Sequence, residues 1–551
     1  MSGASARLDA APLQRWMGDL LVELCAIDTS PRADVARMRE AEAAVFAIIE
    51  RELADLSFPG AAIERRPINP AIAQHPFYSP LHQTKSPDRP EGLGPAEAYA
   101  GRCNLLYRIP GLSDRPGTVL NAHIDVIAPY VPPTQDDGIV RGRGACDDKG
   151  GVVAILAALR LLDAQCRTTG TRPACPVIAM FVIEEEPGGN GSLSLAIDRD
   201  LKASYDNVVV LECTGNRIHP ANRGAVWYQA ILSGDAPLLE AAAFVVGELE
   251  DEGRAIKAES RHVLFPQRPV QTCHGMLGPF GQHPSRICGE ATFRVRCARP
   301  PAAVAALVRD CLEAGLAEYV GRYGDKTQVL DRATGRPKVA RHYDLTPEST
   351  GFQVTVYGAP GHMGSIDEND GAITKLAALV RALVRSKRAL NRLAGCEVTI
   401  ELVGAAQGAL CLEGGQGFVP THGMDEITTR LRGAAERGLS AYLARIGPHQ
   451  ATTTVRVSYD KLHNAAFDGD ADSRAMRRAL AAAAHCGRPQ SEVAGWTVSC
   501  DARLFALEYP GLPVLTVGPG LVEHAHSDQE HVRLEEVDWA ARWIAAYLLD
   551  G

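Results

Sequence analysis

The chain has 551 residues, 46% hydrophobic and 22% charged, with a formal charge of −9. That length exceeds one ordinary core, so two or more domains are expected, in a composition typical of a soluble globular protein. The acidic balance argues against nucleic acid or an anionic membrane as the main partner, since both select basic surfaces, and no run of about eighteen uninterrupted apolar residues offers a membrane span.

In chain order, the N-terminus lacks the basic head, apolar run and cleavage site of a targeting segment and reads as a capped amphipathic helix. Leu13, Trp16, Met17, Leu20, Leu21 and Leu24 recur at helical spacing, which predicts one long helix over 12–57. Two β-like runs follow at 61–67 and 104–109. The segment between them, 68–101, carries Pro70, Pro76, Pro80, Pro87, Pro90 and Pro95; a loop that long inside a compact domain suggests an active-site cover. A short strand at 118–122 is followed by an Ala- and Leu-rich helix over 151–165 and by strands at 176–183 and 207–211 that read as continuous apolar runs. That pattern predicts a mostly parallel sheet with helices on both faces.

After about residue 215 the pattern changes. Strands at 224–233, 291–297, 351–358, 396–403 and 451–459 alternate with helices at 236–250, 300–320, 371–387 and 424–446, as in an α+β sandwich. From about 471 the first pattern returns, with a strand at 513–517 and a closing helix over 535–549. The prediction is an α/β domain made of 1–215 and 471–551, interrupted by an inserted α+β domain, 216–470. Fourteen cysteines without any C-x-x-C pair point to reduced, mostly buried thiols in the cytoplasm.

The chemistry-bearing residues sit just past the C-terminal ends of the α/β strands, where loops converge on one crevice. They are Asn121-Ala122-His123-Ile124-Asp125, Gly144-Ala145-Cys146-Asp147-Asp148, Ile183-Glu184-Glu185-Glu186-Pro187, Leu211-Glu212-Cys213-Thr214 and Glu523-His524-Ala525-His526-Ser527-Asp528. Three acids and two histidines of this set can hold two divalent metals and leave one carboxylate as a base. A lone His-x-Asp is usually a capping pair, and three glutamates usually mark a solvated helix end. Here the glutamates follow an apolar strand directly, and their mutual repulsion near low dielectric calls for a compensating cation.

These five motifs, in this order from Gly101-Arg102-Cys103-Asn104 to Val532, resemble the dinuclear zinc peptidase family of aminoacylase, acetylornithine deacetylase, succinyl-diaminopimelate desuccinylase, carboxypeptidase G and the monomeric bacterial dipeptidases. The resemblance implies a fold with a large ferredoxin-like α+β lid, and two Zn²⁺ ions, with Co²⁺ or Mn²⁺ as substitutes. It implies His123 and Glu212 on one metal, Glu186 and His526 on the other, and Asp147 bridging both, with a cis bond after Asp147. Asp125 would orient the His123 ring. Glu185 would be the general base for a water bridging the metals. His362, in Gly358-Ala359-Pro360-Gly361-His362 of the inserted domain, would polarise the substrate carbonyl once the lid closes. Arg503 and, more loosely, Arg296 would lie near a substrate carboxylate.

The implied reaction is hydrolysis of an amide bond in an N-acyl amino acid or short peptide with a free carboxylate. Alternatives are a carbamoyl or heterocyclic amide substrate, or a non-catalytic scaffold on the same fold. The insertion is roughly double the family's usual lid, so two similar sandwiches are expected, over 220–330 and 350–460, giving a monomer with a pseudo-dimeric lid; the other expectation is a homodimer.

Overall fold

A computed structural model describes residues 10–282, 286–298, 302–330, 335–361, 370–406, 408–447, 452–459 and 463–549. It divides into two compact units, one of residues 1–224, 262–267 and 461–551, the other of 225–261 and 268–460.

The first unit opens with helices α1 (Ala10–Cys25) and α2 (Val35–Ala54). The single helix expected over 12–57 is therefore two. Pro31 cannot continue a helix, and Asp34 starts the second one by accepting the Ala36 and Arg37 amides on its side chain. Strand β1 (Ala62–Pro67), helix α3 (Pro95–Ala98) and strands β2 (Cys103–Ile109) and β3 (Gly117–His123) follow, then short strands β4 (Thr134–Asp136) and β5 (Ile139–Arg141). Next come α4 (Lys149–Thr169), β6 (Val177–Val182), α5 (Asn190–Ala196), α6 (Arg199–Lys202), β7 (Tyr205–Val210) and β8 (Ala221–Asn222).

The second unit has two four-stranded arrangements. Its elements are β9 (Gly224–Ser233), α7 (Leu238–Glu259), β10 (Thr272–Leu277), β11 (Glu290–Arg296), α8 (Ala302–Tyr323), β12 (Tyr343–Glu348), β13 (Gly351–Tyr357), α9 (Ala372–Arg385), α10 (Lys387–Ala394), β14 (Thr399–Leu402), β15 (Ala409–Phe418), α11 (Met424–Ile446) and β16 (Thr454–Ser458). One sheet runs β10-β15-β9-β16 and the other β12-β13-β11-β14. Numbered within themselves, both have the strand order 2-3-1-4 of a βαββαβ sandwich. They are not consecutive, as the split at 220–330 and 350–460 required; the second sandwich is inserted whole between β10 and β15 of the first. The antiparallel pairing of β10 with β15, from Thr272↔Gln416 to Leu277↔Leu412, brings the ends of the insertion together, and a long connection adds little closure entropy.

The chain returns to the first unit with β17 (His463–Asn464), β18 (Phe467–Asp468), α12 (Arg474–His485), α13 (Ala502–Glu508), β19 (Val514–Thr516), β20 (His531–Arg533) and α14 (Leu534–Leu549). The main sheet of this unit has the order β1-β2-β6-β3-β7-β19. β6, β3, β7 and β19 are parallel, and β1 and β2 are antiparallel additions. Every residue of β3 and β6 is buried; α4 packs on β3 with α1 and α14 against it, and α13 packs on β7 and β19 with α5 against it. Among the described residues no helix is long and apolar enough to cross a membrane.

Candidate metal centre

The parallel strands deliver their polar residues to one edge. His123 ends β3, Glu184–Glu186 follow β6, and Glu212 stands two residues past β7. Asp147 lies just before α4, followed by a cis bond to Asp148, and His526 sits between β19 and β20. Glu184 and His526 adopt positive φ of 63° and 59°, a conformation that non-glycine residues take at a cost and that clusters at functional sites.

The side chains converge as two triads with a common member. His123, Asp147 and Glu212 form one and Asp147, Glu186 and His526 the other, each with candidate ligand atoms within 4.8 Å of one another. Asp147 turns a different oxygen to each imidazole: Oδ1 lies 3.1 Å from His123 Nε2, and Oδ2 lies 3.2 Å from His526 Nε2. His526 Nε2 is also 3.1 Å from Glu186 Oε2. This is the arrangement a bridging carboxylate needs.

The cluster is a well of negative charge. Burial pushes the carboxyl groups of Glu185 and Glu212 well above their ordinary range, with Asp147 adding repulsion to both. Burial works against the Asp147 charge as well, yet hydrogen bonds from His123 and His526 hold its carboxyl far below the usual value. Against a burial that favours the neutral ring, Glu186 and Asp147 push His526 up to about 10. Three acids and two imidazoles that draw positive charge this strongly are a donor set that fits divalent cations.

Surrounding residues fix these groups. The Asp125 carboxylate accepts the Glu185 and Glu186 amides, both at 3.1 Å. His123 Nδ1 stands 3.0 Å from the Asp125 carbonyl and 3.6 Å from its carboxylate. Glu184 belongs to neither triad. Arg102 Nη1 meets it at 2.5 Å while also holding Glu42, and the Tyr99 hydroxyl donates to it. That pairing answers the repulsion of three successive glutamates, and it anchors the proline-rich segment, which also binds α5 through Ser79 N to Asn190 Oδ1 at 3.1 Å.

Arg503 is buried, and its Nη2 donates to the Gly188 carbonyl at 2.9 Å, beside Asp501 and Glu185. Arg296 lies in the second unit, on β11, in an exposed ion pair with Glu401 at 2.7 Å. His362 lies outside the described residues. A further acidic group in the second unit, Glu259, His422 and Glu426, already contains a cation, because Arg430 pairs with both glutamates. The motifs do not single out Glu42, Arg143 or Glu530, and Arg102 appears only in the Gly101–Asn104 stretch, with no role assigned. The one available signal for Glu530 was an acid four residues after His526.

A model of peptidase family M20/M25/M40 matches residues 119–550, and the chain belongs to that family. A probable carboxypeptidase of Arthroderma gypseum is 30% identical over 132 residues, which span 22% of this chain and 27% of that protein. A probable carboxypeptidase of Emericella nidulans is 30% identical over 120 residues, 20% of this chain and 27% of that protein. The chain thus aligns with about a quarter of the curated relatives it matches. In fold it is similar to human carnosine dipeptidase 1, with a TM-score of 0.55 at 15% identity, covering 98% of this chain and 97% of the other. It is also similar to the metallo-carboxypeptidase Sso-CP2 of Sulfolobus solfataricus, with a TM-score of 0.52 at 12% identity, covering 96% and 97%.

Proposed function

We propose that the protein is a dinuclear zinc peptidase that cleaves the amide bond of a short peptide or N-acyl amino acid bearing a free carboxylate. The observation that carries this reading is the pair of triads sharing Asp147. His123, Asp147 and Glu212 would hold one cation, and Asp147, Glu186 and His526 the other. Bound there, the ions would supply Lewis acidity that polarises a carbonyl and lowers the pKa of water.

Glu185 is the proposed general base. It follows β6 beside the ligand Glu186 without joining either triad, and burial raises its affinity for a proton. It takes the proton of the attacking water and passes it to the leaving nitrogen. Asp125 fixes the backbone on both sides of this division of labour by holding the Glu185 and Glu186 amides. Arg503, tied to the loop of Gly188, places a guanidinium near Glu185 and is the proposed contact for an anionic substrate group. The probable carboxypeptidases among the relatives support a substrate cut next to its free carboxyl end.

The test compares wild type with Glu185→Gln on a panel of dipeptides and N-acetyl, N-succinyl and N-carbamoyl amino acids, with bound metal measured by mass spectrometry. The expected result is two metals per chain in both proteins, and a rate at least about a hundredfold lower in the variant. Metal-free wild type, or an unaffected rate, contradicts the reading.

A further inference from the structure

Glu530 is a fully buried carboxylate outside both triads. Its Oε1 accepts the amides of Gly144 at 2.9 Å, Cys146 at 3.3 Å and Asp147 at 3.3 Å. Its Oε2 accepts from Arg143 Nη1 at 2.6 Å, and Arg143 in turn donates from Nε to the Pro129 carbonyl at 3.2 Å. The backbone joins the same contact, with the Gly142 amide on the Glu530 carbonyl at 3.0 Å and β20 paired with β5 from His531↔Arg141 onwards. Three amides converging on one oxygen curl the 144–147 loop into an anion nest, which sets the direction in which Asp147 leaves the backbone. Glu530 also lies four residues after His526, so one side chain ties the Asp147 loop to the His526 loop.

We propose that Glu530 is a positioning residue that staples these two loops together and thereby sets cation affinity at the Asp147–Glu186–His526 triad. The inference rests on the reading that the triads hold cations. His123 and Glu212 are placed by the ends of β3 and β7, independently of Glu530. The triad with His526 takes two of its three members from the stapled loops. Removing the staple therefore acts unequally on the two sites. Glutamine in its place keeps the shape but loses the charge that strengthens these bonds and turns one accepting oxygen into a donor facing N–H groups.

The test uses the full chain stripped of metal, as wild type, Glu530→Gln, and Glu530→Gln with Arg143→Met; the last leaves no buried guanidinium without its carboxylate. Cobalt is titrated calorimetrically, and amide exchange at 144–147 is followed in the metal-free proteins. Wild type should bind two ions. Both variants should keep one near wild-type affinity and bind the second about ten- to a hundredfold more weakly, with faster exchange at Gly144, Cys146 and Asp147. At limiting cobalt the His526 ring should lose its paramagnetically shifted signal while that of His123 stays. Two wild-type isotherms in the variants, or equal loss at both sites, overturns the staple and leaves the metal reading intact. Absence of cobalt binding in wild type overturns both.

Discussion

Asp125 and His219 show how single buried groups in the first unit answer to different physics. Asp125 has its carboxylate committed to two backbone amides, so Asp125→Asn replaces one acceptor with a donor facing an N–H. The expected outcome is retained metal with kcat lower by about ten- to a hundredfold, checked by metal analysis beside steady-state kinetics. His219 is far from this chemistry in role. Burial holds its imidazole down at about 4, while Nδ1 donates to the Ala494 carbonyl at 2.8 Å. The unfolded chain takes up a proton near pH 6.5 that the folded one refuses until about pH 4. The contribution of this group is therefore complete above pH 6.5 and is lost as pH falls towards 4, by up to about 3 kcal/mol. Urea midpoints across that window should fall more steeply for wild type than for His219→Gln; equal slopes would refute the assignment.

At the scale of elements, the strands that carry the site were readable because each holds an apolar run that leads into polar residues, as Phe181-Val182-Ile183 leads into Glu184. β15 was not readable. Its sequence ALCLEGGQGF carries three glycines, and glycine weakens a strand on propensity. The structure shows the reason for one of them: a Cβ on Gly414 would stand 2.3 Å from the Cys273 carbonyl and 2.5 Å from the Tyr228 hydroxyl. The nesting of one sandwich in the other was hidden because it depends on the β10–β15 pairing. The break between α1 and α2 was signalled by Pro31 and Asp34 but was overridden by the helical spacing of the leucines. Packing at α5 gives a test of how tightly the Glu184–Glu186 loop is held. A Cβ on Gly191 would come 2.1 Å from the Ile183 carbonyl oxygen, which is backbone and cannot turn aside. Gly191→Ala should destabilise the fold by about 1–3 kcal/mol, measured by thermal or denaturant unfolding.

For the whole molecule, all five proposed ligands belong to one of the two compact units, and cations that bind the folded state raise its stability by mass action. Chelation should therefore lower the unfolding temperature of the first unit and leave amide exchange in α7, α8 and α9 unchanged; uniform loss of protection in both units would argue against this. The five proposed ligands come from distant parts of the chain and converge as two triads, and the parallel sheet, which sends its strand ends to one edge, is what let the sequence motifs point to them as a set. Glu530 was not legible, and Arg102 stood in the stretch that opens the resemblance without its role being legible, since holding a loop or cancelling a charge leaves no motif of its own. The most direct test of the central claim is anomalous X-ray scattering at the zinc edge from crystals of the zinc-loaded protein. The account predicts two peaks, one among His123, Asp147 and Glu212 and one among Asp147, Glu186 and His526; zinc absent from both triads, or bound elsewhere, would contradict it.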